Sequence, residues 1–584
     1  MHYRSDPNSQ HEFRRMNDQF STEQQEYLKG FMSGVEARRG TIAPAMDGPP
    51  ADPADLQRAA QDRTVAAGGK LTPEEESKRA RHPLDRTDEI ARLAADGRFP
   101  KGTDVFLTKY LGLFYVTPAQ DSFMCRMRMP GGILTAAQFA GVADLADACG
   151  GAYVDITTRA NLQVREIPAG AAPEVLHRLA DLGLTSRGAG ADNVRNVTGS
   201  PTAGIDPQEL IDTRPHARAI HHHILDHREL FGLPRKFNIA FDGGGRVPVL
   251  EDTNDIAFHA VPLPDGVFYA LSLGGITGHR DFARPSNVVV APADTTAVCD
   301  AILRVFIEHG DRTSRKTSRL KYLLDRWGHD RFLTEVEAQL GRPLRREYDM
   351  PLRPTQEKHG HIGVHGQSQA GLQYVGVTCT VGRLTSDQAR GVARLASRYG
   401  SGTIRLTVWQ NLLISDVPAA DMPAVLDGLA VLGLGWQATL VRGGLVACTG
   451  SAGCKFAASN TKRHAAELAD FLDARITVAT PINIHVTGCH HSCAQHLIAD
   501  IGLLGARVAI NEDDTVEGYD VHVGGGAGPE QRIGRLIRAA VAFDDLPPMM
   551  LQLLREWDGR GTFQDWSAAQ SDAELAAMLE MVPA

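Results

Sequence analysis

No stretch of the chain runs apolar for the roughly 20 residues that a membrane-crossing helix requires. The N-terminus, Met1-His-Tyr-Arg-Ser-Asp-Pro7, is polar where a secretory leader would carry an apolar core. These two absences make a cytoplasmic protein the expectation. Positive charge is not in excess either: 61 Lys and Arg stand against 70 Asp and Glu, a net charge of −9, which speaks against general nucleic-acid binding. The nicotinamide fingerprint is missing, because Gly524-Gly-Gly-Ala-Gly528 lacks the G-x-G-x-x-G order and the later acid, and no flavin motif is found. Cysteine is sparse, eight in 584 residues, and a reducing compartment leaves such thiols free for metal. What remains is 43% hydrophobic and 22% charged, the composition of a globular protein long enough for several domains.

Four of the eight cysteines gather in one region, Cys448-Thr-Gly-Ser-Ala-Gly-Cys454 and then Thr487-Gly-Cys489-His-His-Ser-Cys493. Four soft thiolates suit an iron–sulfur cluster or a structural zinc. Zinc knuckles use shorter gaps than C-x5-C, and the small residues Gly450, Ser451, Ala452 and Gly453 let the backbone crowd something bulky. Cys125, Cys149, Cys299 and Cys379 stand alone and read as small buried hydrophobes.

From Lys101 onward the chain repeats itself. Gly132-Ile-Leu-Thr-Ala-Ala-Gln138 returns 250 positions later as Gly382-Arg-Leu-Thr-Ser-Asp-Gln388, and the register holds at Asn161 and Asn411 and at Pro168 and Pro418. Each copy predicts a strand, a helix capped at Thr135 or Thr385, a second strand over Tyr153–Val164 or Thr403–Ile414, and another helix. Phe139, Val142 and Leu145 give the first of these helices a buried face. This order fits a ferredoxin-like α+β module, completed in each copy by a larger α/β module with a Gly-rich turn. Before the repeat, Phe20–Gly34 reads as a short helix, and residues 40–80 read as a linker or peripheral wrap. The expected divisions are 1–84 for the helix and flexible linker, then 85–200, 201–348, 349–440 and 441–584.

In place of cysteine pairs the first copy offers cations: Arg126 and Arg128, Arg159, Arg195, and Arg235-Lys236. Alternation puts Arg126 and Arg128 on one side of a strand, and likewise Lys236 and Asn238. In apolar strands beside Gly and Pro turns they read as a cationic pocket, and buried cations need anionic partners.

The cysteine spacing, with Thr-Gly before Cys489, resembles that of the sirohaem and iron–sulfur nitrite and sulfite reductases, and the resemblance extends from about residue 85 to the C-terminus. It implies an internally duplicated α+β fold, with two ferredoxin-like modules and two α/β sirohaem/iron–sulfur modules around a pseudo-two-fold axis. The implied cofactors are sirohaem, whose eight carboxylates suit a cationic pocket, and a [4Fe-4S] cluster. Cys448, Cys454, Cys489 and Cys493 are the implied cluster ligands, with Cys493 bridging to the sirohaem iron. Arg126, Arg195 and Lys236 match the substrate face, and Arg159, Gln163, Arg235, Gly274, Gly275 and Gln410 match sirohaem-contacting positions. Lys236-Phe-Asn238 resembles the nitrite reductases, whereas sulfite reductases tend towards Lys-Phe-Lys; nitrite, a planar monoanion, needs less charge than sulfite. The implied reaction is six-electron reduction of nitrite to ammonium by a monomer fed by ferredoxin, with sulfite reduction as the alternative. A cobalamin-pathway oxygenase shares the duplicated fold but not the Arg126, Arg195 and Lys236 set, and a zinc-stabilised binding protein is the reading outside enzymology. Two positions depart from the family pattern: His491 stands where an Asn often contacts the cofactor, and Asp155 where some sulfite reductases carry Arg.

Three other constellations are weaker. His221-His-His-Ile-Leu-Asp-His227 reads as a polar helix face rather than a zinc site. The basic run Arg312–Lys321 could meet cofactor carboxylates, an acidic donor or solvent. Arg532, Arg535 and Arg538 fall at helical spacing and read as a surface stripe.

Overall fold

The computed structural model describes residues 55–580, so the helix expected over Phe20–Gly34 lies outside the described residues. Where a linker or wrap is expected, two helices form, α1 (Asp55–Ala66) and α2 (Pro73–Ala80). Thr72 caps α2 by accepting from the Glu75 amide, Pro73 takes the first turn, and Glu74–Glu76 complement the helix dipole. Ala60, Gln61, Glu75 and Lys78 are buried. The flexible-linker expectation is therefore corrected from residue 55 onward.

The duplication is visible strand by strand. In the first copy β1 (Leu113–Val116), β2 (Ser122–Arg126), β5 (Leu162–Ile167) and β4 (Tyr153–Ile156) lie antiparallel in that order. In the second, β12 (Gly363–Gly366), β13 (Leu372–Val377), β16 (Leu412–Pro418) and β15 (Thr403–Leu406) repeat it. The fifth strand of each sheet comes from the other copy. β14 (Arg383–Thr385) closes the first sheet against β4, and β3 (Ile133–Thr135) closes the second against β15. The single second strand expected in each copy is a hairpin instead. Its turn needs a left-handed residue, Ala160 at φ 48° in the first copy and Gln410 at φ 61° in the second.

Helices α3 (Ala136–Cys149) and α4 (Ser386–Tyr399) each begin with a full capping box, Thr135 with Gln138 and Thr385 with Gln388. Each box contributes about 1 kcal/mol. Phe139, Val142 and Leu145 are fully buried, in one apolar core with Val392, Ala393 and Ala396 of α4, so both ferredoxin-like modules share a core. The same close approach recurs in each copy: a Cβ at Gly141 would lie 2.3 Å from Leu182, and one at Gly391 2.4 Å from Leu432.

The larger modules are mixed sheets. β6 (Val194–Gly199), β7 (Phe237–Asp242) and β8 (Ile256–Leu263) run parallel, followed antiparallel by β9 (Gly266–Leu273), β10 (Arg284–Val290) and β11 (Arg345–Arg346). β17 (Leu445–Ala447), β18 (Ile484–Thr487) and β19 (Ile501–Ala509) run parallel, followed antiparallel by β20 (Thr515–Val523) and β21 (Arg535–Ala542). Because β6 belongs to the larger sheet, the division expected at residue 200 moves back to between Asp181 and Val194. Arg535 and Arg538 lie on β21 and not on a helix, and both bond to the C-terminal helices, Arg535 to the Ser567 carbonyl at 2.6 Å and Arg538 to that of Leu579 at 2.7 Å. Among the described residues no helix is long and apolar enough to cross a membrane.

Candidate active site between the two copies

The cysteines emerge where parallel strands end. β17 and β18 are paired neighbours, with Ala447 opposite Val486, so the loops carrying Cys448 and Cys489 leave the same sheet edge. Carboxyl ends of parallel strands are where open α/β sheets bind ligands. The Gly488 amide donates to Cys448 Sγ at 3.2 Å, and His491 Nδ1 lies 3.4 Å from Cys489 Sγ. Burial and then the Cys493, Cys454 and Cys448 charges push the Cys489 thiol up to about 11, so the four thiols stand close enough to resist joint ionisation. A cationic metal centre removes that resistance. No three of the described His, Cys, Asp or Glu side chains form a single-ion site.

The cations come from the opposite strand ends of the first copy. Arg195 is the second residue of β6 and Lys236 immediately precedes β7. Arg126 ends β2, its guanidinium 4.6 Å over the Phe114 ring, and Arg159 sits in the β4–β5 turn, donating to Asn254 at 3.1 Å. These side chains lie deep within the molecule yet keep part of their surface open. Burial lowers Arg126 and Arg159 to about 10, Lys236 to about 7, and Arg195 well below the ordinary arginine value. The Cys493 charge acts in the other direction on Arg126, Arg159 and Lys236. A hydrogen bond spans the seam there, from Thr158 Oγ1 to the Cys493 carbonyl at 3.1 Å.

The four modules match two family models. The nitrite and sulphite reductase 4Fe-4S domain covers residues 190–344 and 442–566. The nitrite/sulfite reductase ferredoxin-like half domain covers 116–182 and 365–432. The chain belongs to the nitrite and sulphite reductase family. Among curated relatives of this family, a ferredoxin–nitrite reductase of Synechococcus elongatus is 39% identical over 85% of this chain and 98% of its own length. An assimilatory ferredoxin-dependent nitrite reductase of Haloferax mediterranei is 32% identical, over 81% and 86%. The structure of the Mycobacterium tuberculosis NirA protein superposes with a TM-score of 0.81 at 30% identity, covering 88% of this chain and 99% of that one.

The family's cofactors, sirohaem and a [4Fe-4S] cluster, fit the residues present. Arg126 and Lys236 have no hydrogen bond or ion pair through their side chains among the described residues, and Arg195 Nε is buried without a partner. Uncompensated buried cations are costly, and a polycarboxylate macrocycle with an oxyanion substrate supplies the missing charge. Four soft thiols answer the cluster.

Not every expected contact residue is free for that role. The Gln410 amide is occupied: its nitrogen donates to the Ile156 and Ala447 carbonyls at 3.2 and 3.0 Å, and its oxygen accepts from the Ala447 amide at 2.8 Å. It clamps one copy to the other. Gln163 accepts from Arg165 at 3.1 Å, and Arg235 leans on Asp192 at 3.5 Å. Gly274 sits at φ 91°, and a Cβ at Gly275 would lie 2.5 Å from the Asp252 carbonyl, so backbone crowding already demands glycine there. Asn238 is 2% exposed; its backbone N–H donates to Asp255, while its side-chain oxygen has no partner. Asp155 is held by Arg383 at 2.9 Å and Lys462 at 3.6 Å, so this departure carries its own cations.

Four of the five cations in the basic run are paired internally. Arg312 pairs with Glu75, Arg315 with Asp192, Arg319 with Asp255, and Lys321 with Asp281. In the histidine run His221 Nδ1 accepts from Arg128 at 3.4 Å, and His223 bonds Asp300 at 2.8 Å. The isolated cysteines Cys125, Cys149, Cys299 and Cys379 are buried, and burial pushes their thiols up. The carboxylates Asp192 and Asp255 that order the cationic wall escaped the sequence reading, since a single acid in a turn carries no spacing signal.

Proposed function

We propose that the chain is a ferredoxin-dependent nitrite reductase, taking nitrite to ammonium with six electrons delivered singly. The observation that carries this reading is the meeting of Cys493 with the cationic wall beside Lys236-Phe-Asn238. The names printed for the relatives in Synechococcus and Haloferax support the donor and the substrate.

Cys448, Cys454, Cys489 and Cys493 would hold the cluster, and Arg159 and Arg235 would meet sirohaem carboxylates. When bound, the two cofactors supply single electrons and an iron at which nitrite is reduced. The protein's own contribution is electrostatic. Arg126, Arg195 and Lys236 would hold the substrate oxygens in a fixed field that costs no reorganisation during reaction. Lys236, whose ammonium carries exchangeable protons, is the member of that set able to release a proton. Arginine is too weak an acid and serves as a hydrogen-bond donor. Asn238 would present an amide where a second ammonium would favour a more highly charged substrate.

Reduced ferredoxin or methyl viologen with nitrite should yield ammonium in the purified holoenzyme. Faster turnover of sulfite than of nitrite would replace this reading with sulfite reduction. A fully loaded protein inactive on both would overturn it.

A further inference from the structure

Helix α2 lies before the family-model matches, which begin at residue 116, yet it reaches the back of the cationic wall. Lys78 is fully buried, and its ammonium makes three contacts. It donates to the Leu233 carbonyl at 2.9 Å, it pairs with Glu75 one turn earlier, and it lies 3.8 Å from Asp192. Leu233 stands three residues before Lys236, and Asp192 three before Arg195, so one ammonium touches both segments that deliver substrate-holding cations. Arg312 doubles the tie by bonding Glu75 at 2.6 Å and the Gly232 carbonyl at 2.9 Å. Arg315 grips Asp192 through both nitrogens at 2.7 and 2.8 Å, and Arg195 donates to the Ala191 carbonyl at 2.7 Å.

We infer that Lys78 is a positioning residue for nitrite binding, joining the segments 189–195 and 232–236 so that Arg195 and Lys236 converge. The inference rests on the nitrite-reductase reading but fails separately from it. A surface helix held for stability alone needs no buried ammonium aimed at two backbone segments. An apolar side chain of similar length would fill the same volume without the desolvation penalty. The spacing between two oxyanion-holding cations is set by backbone position, and small displacements there weaken substrate binding more than they weaken electron entry.

The test is Lys78→Met in the full-length holoenzyme. This change leaves Glu75 paired with Arg312, and Asp192 paired with Arg315. The expected result is a KM for nitrite raised roughly tenfold, a kcat lowered less, and an unaltered visible spectrum. Hydrogen exchange should quicken in 189–197 and 232–238 and stay unchanged in the cysteine loops. Glu75→Gln keeps the volume and the Lys78 bond to Leu233; it should show the same pattern at about two- to threefold, and it stands in where Lys78→Met does not fold. A lowered melting temperature with unchanged KM and unchanged exchange in both segments, in either variant, would overturn the inference. Wild-type protein that fails to reduce nitrite would instead remove the functional reading beneath it.

Discussion

In the first copy Lys236 stands just before β7 and Arg195 is the second residue of β6; in the second copy the same places hold Asn483 and Val446. The register of 250 residues likewise sets Gly376 and Trp409 against Arg126 and Arg159. Four cations thus have four uncharged counterparts on strands of the same order. The trailing strand ends differ too. Cys448 follows β17 and Cys489 follows β18, whereas β7 ends at Asp242 in a buried carboxylate group with Glu251 and Asp252. The two copies share a fold, and only one seam joins the four clustered thiols to the cations Arg126, Arg159, Arg195 and Lys236. The second copy's own leading ends carry neutral polar atoms without partners, among them Trp409 Nε1, Asn483 Nδ2 and His485 Nε2. Fold and chemistry were therefore inherited separately.

The comparison can be broken hardest at the thiols. Cys489→Ser should lose the cluster and bring nitrite reduction to background, read as iron and acid-labile sulfide per chain and as the visible spectrum. Next, Lys236→Met should lower kcat/KM for nitrite by roughly a hundredfold, the usual cost of one preorganised oxyanion donor. Trp409→Phe, at the counterpart of Arg159, keeps its stacking on His361 and should change it by less than about twofold. Equal losses would mean that both seams act. Asn238→Lys adds an ammonium and should move the ratio of sulfite to nitrite turnover upward by roughly tenfold.

The smallest effect lies in the carboxylate group that replaces the thiols. Burial, and then Glu251, push Asp252 up to about 7. The folded chain therefore holds this proton to higher pH than the unfolded chain, whose carboxylate titrates near 4. Its stabilising contribution is complete below about pH 4 and is lost as pH rises towards 7. Asp252→Asn can still accept from the Gly528 amide and Gln531. It should shrink the fall in melting temperature between pH 5 and 7.5 by roughly 2 °C.

Much of this was legible from residue order. Thr135 with Gln138 and Thr385 with Gln388 announced two helices, and the spacing of Phe139, Val142 and Leu145 announced their buried face. Four cysteines announced the cluster, because metal ligation imposes spacing. The cationic wall was legible as residue type but not as position: the cations and cysteines occupy opposite strand ends, and only three-dimensional pairing of the copies reveals that they meet. Gln410 shows the limit of a motif, since its amide bonds backbone on both copies. The exchanged strands β3 and β14 are three residues each, too short for any periodicity to register. Helices α1 and α2 look like linker or wrap in the sequence because periodicity is weak and their anchor is a buried ion pair, which looks like solvated charge.

The exchange of β3 and β14 also bears on how the chain is made. Until residue 385 leaves the ribosome, β4 remains an open sheet edge, and β3 has no sheet to join. At roughly 5–20 residues per second the nascent first copy waits on the order of 10–50 s with that edge exposed. An open edge is a template for pairing with neighbouring chains, so each ferredoxin-like sheet stays one strand short until the other copy supplies it.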